Sequence, residues 1–376
     1  MRLYIIAGEA SGDLHGANLI RALRNTQPDV ECRAWGGDLM QAAGAVLVKH
    51  YRDLAFMGFV EVLKNLRTIL HNLAFCKEDI LKFQPDALVL IDYPGFNLRI
   101  ARWAKEQGIN VIYYIAPQLW AWHASRAHAI RRDVDKLLVI LPFERAFFQQ
   151  YNIDAEFVGH PLLDELERLG DKESLSEQPA SEQIALLPGS RKQEVRRILP
   201  VMLEMTREFP DYHFVIAGAG SLPPEFYQNF LKNYPEVKLL QGQTYSVLRQ
   251  SRAALVKSGT STLETALLGV PQVVCYAGNW LSYQIAKRLV KVRYISLVNL
   301  IMDRLVVREL IQDDLNRANL RAALAELLQP EKRALLQAEY AALRAQLGGG
   351  GASMRAARAI VDFLQKQVSR KNRPAQ

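Results

Sequence analysis

Leu186–Leu199, LLPGSRKQEVRRIL, runs from an apolar strand-like stretch straight into Pro-Gly-Ser-Arg and then into a charged, helix-forming segment. A buried strand that breaks at a glycine turn and restarts as a helix is the basic step of a βαβ unit. Gly189 lets the chain turn and lets another group approach its backbone. Ser190 and Gln193 have the S-x-x-Q spacing of a capping box. Arg191 is out of place by the same logic, because a cation at a helix start meets the positive end of the helix dipole. A bound anion would reverse that sign. Backbone N–H groups, the dipole and a forked guanidinium together suit a diphosphate.

The same step recurs along the chain. In the N-terminal half, Leu3–Gly8, VECRAWGG, Ala87–Ile91, Val111–Pro117 and Lys136–Pro142 read as strands, with helical patterns between them, the first around Ala17–Arg24. Continuous apolar runs such as ALVLI are what parallel strands buried on both faces look like. The text turns polar over Asp164–Gln183, and the alternation then restarts with IALLPGS, His213–Gly220, VKLLQG, Ala253–Gly259 and Pro271–Gly278. We therefore expect two doubly wound Rossmann-like α/β domains, over residues 1–165 and 184–345. After Gly348–Gly351 a last helix, Ser353–Gln367, and a basic tail complete residues 346–376, packing back on the N-terminal domain or on a partner chain. Ligands of such sheets bind beyond the carboxyl ends of the strands, so the cleft between the halves is the expected site.

Bulk properties narrow the function. A chain of 376 residues is too long for one core, and 49% hydrophobic with 23% charged residues is ordinary globular composition. No apolar run approaches the ~20 residues of a spanning helix, and MRLYIIAGEASGD is too weakly apolar for a signal peptide. Cys32, Cys76 and Cys275 have neither metal-ligand nor disulfide spacing, which fits a reducing cytoplasm. The net charge is +8, with basic clusters at Lys287, Arg288, Lys291 and Arg293 and at Lys366, Arg370, Lys371 and Arg373. They suit an anionic membrane surface or a solvated face. Nucleic acid is not expected, since no RNP, KH or zinc-finger signature occurs.

Several stretches could carry chemistry. GEASGDLHGA (Gly8–Ala17) lacks the dinucleotide fingerprint but brings Glu9, Ser11, Asp13 and His15 to the end of the first strand. KSGTSTLETALLGVP (Lys257–Pro271) repeats the strand–turn–helix step, with Ser258, Gly259, Thr260, Ser261 and Thr262 at the helix start and Glu264 a turn inside. Two anion-friendly helix starts in one half point to a nucleoside diphosphate, and a carboxylate such as Glu264 can take both hydroxyls of a ribose. Asp92, ending a buried strand in LVLIDYPGFN, has the setting of a general base raised by desolvation. PQLWAWHASR offers Gln118 and Trp120 to an apolar or sugar pocket or to the core, and His160 in FVGHP reads best as structural. Asp133 and Asp135 spell D-x-D among basic neighbours, a poor metal site. The apolar helix pattern Leu54–Phe75 serves either the core or an acyl-binding or interfacial face.

GEASGD, FMGFVEVL, IDYPGFN, PQLWAW, FVGHP, LLPGSR, SGTSTLE and SLVNL, in this order, closely resemble the lipid-A-disaccharide synthases, glycosyltransferase family 19 with a GT-B fold. The resemblance runs from Leu3 to about Arg308 and is looser after Asp314. It implies an inverting transfer of diacylglucosamine from UDP to the primary hydroxyl of diacylglucosamine 1-phosphate, without a cofactor or metal. It implies that Asp92 takes the hydroxyl proton, and that Glu9, Ser11, Met57, Gly58, Gln118 and Trp120 border the acceptor. Gly189, Ser190, Arg191, Glu194, the Ser258–Thr262 turn, Glu264 and Asn299 would hold the nucleotide, with Arg191 meeting charge on the leaving diphosphate. It further implies a peripheral place on the inner face of the cytoplasmic membrane. Some members dimerise through their C-terminal parts, so a homodimer is left open. The residues alone also admit other GT-B UDP-sugar enzymes: a transferase to a polyprenyl-linked acceptor, or a UDP-sugar epimerase.

Overall fold

A computed structural model describes residues 1–54, 66–122, 124–168, 182–278 and 293–371. The chain divides into two compact units, Met1–Leu169 with Leu347–Gln376, and Gly170–Gln346. The first unit contains β1 (Arg2–Ala7), α1 (Ala10–Thr26), β2 (Glu31–Gly36), α2 (Asp38–Ala42), β3 (Val46–His50), α3 (Leu66–Phe83), β4 (Ala87–Ile91), α4 (Pro94–Glu106) and β5 (Asn110–Tyr114). It continues through α5 (Leu119–Trp122), α6 (Ala127–Asp133), β6 (Lys136–Val139), α7 (Glu144–Gln149), β7 (Ala155–Phe157) and α8 (Pro161–Arg168).

Among the described residues these strands form one parallel sheet in the order β3-β2-β1-β4-β5-β6-β7. The strand order reverses between β1 and β4, which is where a doubly wound sheet opens to a ligand. Register pairs Ala7 with Ile91, so Gly8 and Asp92 leave the sheet side by side. β4 is buried along its whole length, as its unbroken apolar run requires. Beneath it, Trp35 donates to the Tyr4 hydroxyl (2.8 Å), which donates to Asp79 (2.7 Å) on α3. Trp35 and Tyr4 thus keep their buried polar atoms satisfied.

The second unit repeats the plan with β8 (Gln183–Leu187), α9 (Lys192–Glu208), β9 (His213–Gly218), α10 (Pro224–Leu231), β10 (Lys238–Gln241), α11 (Thr244–Arg249) and β11 (Ser251–Lys257). Then come α12 (Thr260–Leu267), β12 (Gln272–Tyr276), α13 (Leu297–Met302), β13 (Arg308–Ile311), α14 (Arg317–Leu327) and α15 (Pro330–Gln346). The parallel order is β10-β9-β8-β11-β12-β13, and the reversal falls between β8 and β11. A final helix, α16 (Ala352–Lys371), belongs to the first unit and packs on α1 and α8. No helix among the described residues is long and apolar enough to cross a membrane.

Local structure departs from the sequence reading in three respects. The first helix starts at Ala10, not near Ala17, so most of GEASGD is its opening turns. Its glycines serve internal packing: a Cβ on Gly12 would stand 3.0 Å from Ala7 Cβ, and one on Gly16 2.7 Å from Met40 Sδ. The edge strands β3, β7 and β13 were not anticipated. Of the apolar pattern over Leu54–Phe75, residues 55–65 lie outside the described residues. Along α3, Cys76 and Ile80 enter the core, while Leu70 is exposed.

Candidate active site

Glu9, Ser11 and Asp92 lie at the strand-order reversal of the first unit, and Gly189–Arg191 and Ser258–Glu264 at that of the second. In the first unit, Glu9 is the N-cap of α1 and Ser11 lies in its first turn, directly beyond β1. Asp13 is fully committed to structure: its carboxylate accepts the N–H groups of Gly37 (2.8 Å), Leu39 (3.2 Å) and Met40 (3.0 Å) and so caps α2. Asp92 follows β4. Burial first, and the charge of Glu9 second, push its carboxyl up to about 7, against a hydrogen bond from the Tyr93 N–H.

The backbone here is strained. Asp92 and Tyr93 have φ of 44° and 49°, and Ile115, at the end of β5, has φ of 63°. A β-branched residue in that region is a genuine outlier, and such strain persists only where the surroundings enforce it. They do so here through a chain of bonds across three strand ends. Asp92 N–H donates to the Ile115 carbonyl and Ile115 N–H to Leu138, each at 3.1 Å. The Asp92 carbonyl accepts the Tyr113 hydroxyl (2.6 Å) and the Asn97 amide (2.8 Å). The buried Asn97 amide also lies 3.2 Å from the Ile91 carbonyl and 3.4 Å from that of Ile6, tying β4 to β1. Pro94 at the start of α4 then fixes the exit from the turn.

Trp120 stands on α5, and its indole N–H donates to Glu144 at 3.2 Å. The other Glu144 oxygen accepts Ile140 N–H (3.2 Å) and Leu141 N–H (2.9 Å). Burial pushes the Glu144 carboxyl up to about 7, with its three donors pulling down and the charge of Asp92 adding to the rise. Gln118 is exposed beside this group. Neither Glu144, Asn97 nor Tyr113 was flagged by the sequence reading. The D-x-D residues are at the amino ends of the strands, just before β6, whereas Asp92 is at the carboxyl end of β4. Asp135, just before β6, pairs with Lys105 and accepts Val111 N–H (3.0 Å), while Asp133 accepts from Arg132.

In the second unit, Gly189 turns with φ of 109° beyond β8, and Gly259 with φ of 154° and ψ of −163° beyond β11. Such angles are essentially restricted to glycine. The cap of α9 differs by one residue from the expected box. Arg191, not Ser190, is the N-cap, and its own side chain makes no capping hydrogen bond. Glu194, in the first turn, reaches back to Arg191 (3.6 Å) and across to Lys257 Nζ (2.9 Å) at the end of β11. Lys257 was not assigned a role from sequence. Ser190 and Thr260 are exposed, Ser261 is half-buried, and the Ser258 hydroxyl donates to Ile295 O (2.8 Å). The Glu264 carboxyl is raised by burial and accepts the Tyr245 hydroxyl at 2.9 Å.

Two expected site residues face inward. Asn299 is wholly buried, and both ends of its amide are used. Its Oδ1 accepts Val306 and Val307 N–H, and its Nδ2 donates to Val307 O and Glu309. It organises the approach to β13. The buried Thr262 hydroxyl returns to Gly259 O at 2.8 Å and holds the turn. His160 is buried edge-on to His15, with ring centroids 6.2 Å apart, and desolvation lowers both rings, to about 3 and about 4. Met57, Gly58, Lys287, Arg288, Lys291 and Arg373 lie outside the described residues.

Comparison with known proteins fits this geometry. A solved UDP-GlcNAc 2-epimerase from Neisseria meningitidis is similar over 97% of this chain and 100% of its own, with TM-score 0.67 and 16% identity. A glycosyltransferase of kitacinnamycin is similar over 96% and 99%, with TM-score 0.64 and 17% identity. At those identities the likeness shows the fold, that of GT-B glycosyltransferases and epimerases, and no more. A lipid-A-disaccharide synthase of Syntrophus aciditrophicus is 41% identical over 375 residues, covering 96% of this chain and 97% of that one. The family model for lipid-A-disaccharide synthetase matches residues 3–362. The chain therefore belongs to the lipid-A-disaccharide synthase family, the glycosyltransferases of lipid A biosynthesis.

Proposed function

We propose that the protein transfers diacylglucosamine from UDP to diacylglucosamine 1-phosphate, giving the β-1,6-linked disaccharide 1-phosphate and UDP. The observation that carries this is a family match spanning both switch-point motifs, the Glu9–Asp92 group and the Gly189–Lys257 group. Asp92 is the general base. A carboxyl near 7 is ionised for a useful fraction of molecules at neutral pH and still basic enough to accept a hydroxyl proton. The primary hydroxyl oxygen of the acceptor attacks the anomeric carbon as its proton passes to Asp92. The bond from that carbon to the diphosphate breaks, and UDP leaves with the electron pair. Attack opposite the leaving group inverts the anomeric centre.

The second unit binds the nucleotide. Arg191 and the N–H groups at the starts of α9 and α12 meet the charge that grows on the leaving diphosphate. Glu264, poised by Tyr245, takes the ribose hydroxyls. Glu9, Ser11, Gln118 and Trp120 border the acceptor sugar. The protein works at the anionic inner face of the cytoplasmic membrane, a reading supported by the net charge of +8 and by exposed Leu70 on α3.

The test is direct. The purified protein is incubated with both lipid substrates in mixed micelles containing EDTA, and products are read by mass spectrometry. Disaccharide phosphate that requires both substrates is the expected result. Product only with added magnesium would leave the reaction standing and remove the metal-free account. Isomerised UDP-sugar without acceptor would identify an epimerase instead.

A further inference from the structure

We infer that Lys257 is a further cationic contact for the nucleotide's diphosphate, and that Glu194 holds its place until the nucleotide arrives. The inference rests on the second unit being the UDP-binding one. Lys257 ends β11 and is largely shielded, its side chain 21% exposed. Its Nζ lies 2.9 Å from Glu194 Oε1 and 3.7 Å from where a Cβ on Gly259 would stand. Glu194 Oε1 is also 3.6 Å from Arg191 Nη1. Its Oε2 lies over the other turn, 2.7 Å from where a Cβ on Gly189 would stand. One carboxylate therefore covers the glycine turn after β8 with its Oε2 and meets both an ammonium and a guanidinium with its Oε1, and the ammonium reaches the glycine turn after β11.

That arrangement would be costly without an anion, since both cations sit where helix starts already carry positive potential. A carboxylate is the weaker of two candidate partners. A diphosphate carries more charge and more acceptor oxygens, and it can engage both cations together. Binding is then an exchange: phosphate oxygens take Lys257 and Arg191, and Glu194 turns away. Glu194 keeps the cations oriented in the free protein, lowers the affinity for UDP and hastens its release after transfer.

The experiment is calorimetric titration of the full chain with UDP, and with UMP for comparison, after thermal melts establish folding. Lys257→Met is expected to weaken UDP about tenfold or more, the scale of one charged hydrogen bond, and UMP less. Lys257→Arg is expected to retain most of the affinity. Glu194→Gln is expected to tighten UDP about threefold or more, as a competing ion pair is removed. A folded Glu194→Gln protein that binds UDP no tighter than the wild type overturns the inference, as does Lys257→Met with unchanged affinity. A wild-type chain that binds no UDP overturns the nucleotide-binding reading beneath it, and this inference with it.

Discussion

The ring of Tyr93 lies across the backbone of Gly8, so close that a Cβ on Gly8 would fall 2.3 Å from Tyr93 Cγ. This contact joins the ends of β1 and β4 above the reversal in strand order. Tyr93 also donates its N–H to the Asp92 carboxylate. A methyl group at Gly8 must push the ring aside and disturb the turn that aims Asp92. Gly8→Ala is expected to fold, to bind UDP normally through the other unit, and to lose about 10–100-fold in turnover, the scale of a small misplacement of a reacting group. Wild-type rates in that variant would show that the turn tolerates movement.

Asp92→Asn is expected to lose about 10²–10⁴ in rate while still binding UDP. It should also be the more stable protein at high pH. Burial and Glu9 raise the carboxyl from the usual 3.8 to about 7, so between those values the folded chain binds a proton that the unfolded chain has lost. Folding stability from this group therefore falls as pH rises through that window, and the full cost is felt above 7. Asparagine carries no such cost. Urea denaturation at pH 8 is expected to favour the variant by on the order of 2 kcal/mol, with the gap closing below pH 4. The wild-type rate should climb with pH along a limb near 7. A variant no more stable than wild type at pH 8 would show that the raised carboxyl carries no folding cost.

The strands flanking both reversals were readable because each is an unbroken apolar run buried on both faces. The edges were not. Val46–His50 is half-exposed, Ala155–Phe157 is three residues long, and Arg308–Ile311 mixes charges with apolar groups, so none carries that signal. Site residues divide in the same way. The place of Asp92 was legible because it directly follows a buried apolar strand. The inward direction of Asn299 and Thr262 was not, because a motif names a polar residue without saying which way it points. Ile115 gave no sign of its positive φ, since sequence favours an extended backbone for isoleucine. Lys257 and Glu144 were missed because their meaning lies in partners distant along the chain.

Arg191 begins α9 in an extended conformation, with its guanidinium half-exposed beside Glu194. Arg191→Ala is expected to weaken UDP binding by about 1.5–3 kcal/mol, the range of a hydrogen bond to a charged group. The loss should shrink as salt is added, since an exposed charge is screened. Calorimetry at two ionic strengths reads both effects. Unchanged UDP affinity would remove Arg191 from the nucleotide site.

Glu144 serves three donors at once, and a glutamine offers one oxygen where the carboxylate offers two. Glu144→Gln therefore leaves at least one of Ile140 N–H, Leu141 N–H and the Trp120 indole without its partner. A stability loss of about 1–3 kcal/mol is expected, the cost of a buried donor left unsatisfied. If Trp120 borders the acceptor, the acceptor KM should rise while the KM for UDP-sugar holds. Equal changes in both would mark a general loss of structure rather than a misplaced indole.

Asp164 on α8 accepts three successive N–H groups at the start of α16, those of Gly351 (2.6 Å), Ala352 (2.9 Å) and Ser353 (2.6 Å). It is a helix cap supplied from nearly two hundred residues away, and it fastens the last helix to the first unit just beyond a glycine run with positive φ at Gly348, Gly349 and Gly351. Arg355 adds a second tie, donating to Val158 O at 2.8 Å. Asp164→Ala removes every cap bond together and is expected to cost about 1–2 kcal/mol. The loss should be local. Hydrogen exchange is expected to quicken at the first turns of α16 while the strands of both sheets keep their protection. Asp164→Asn, which retains one acceptor oxygen, should fall between the two. Unaltered exchange at residues 352–356 in the alanine variant would mean that packing on α1 and α8, and not the cap, holds the helix in place.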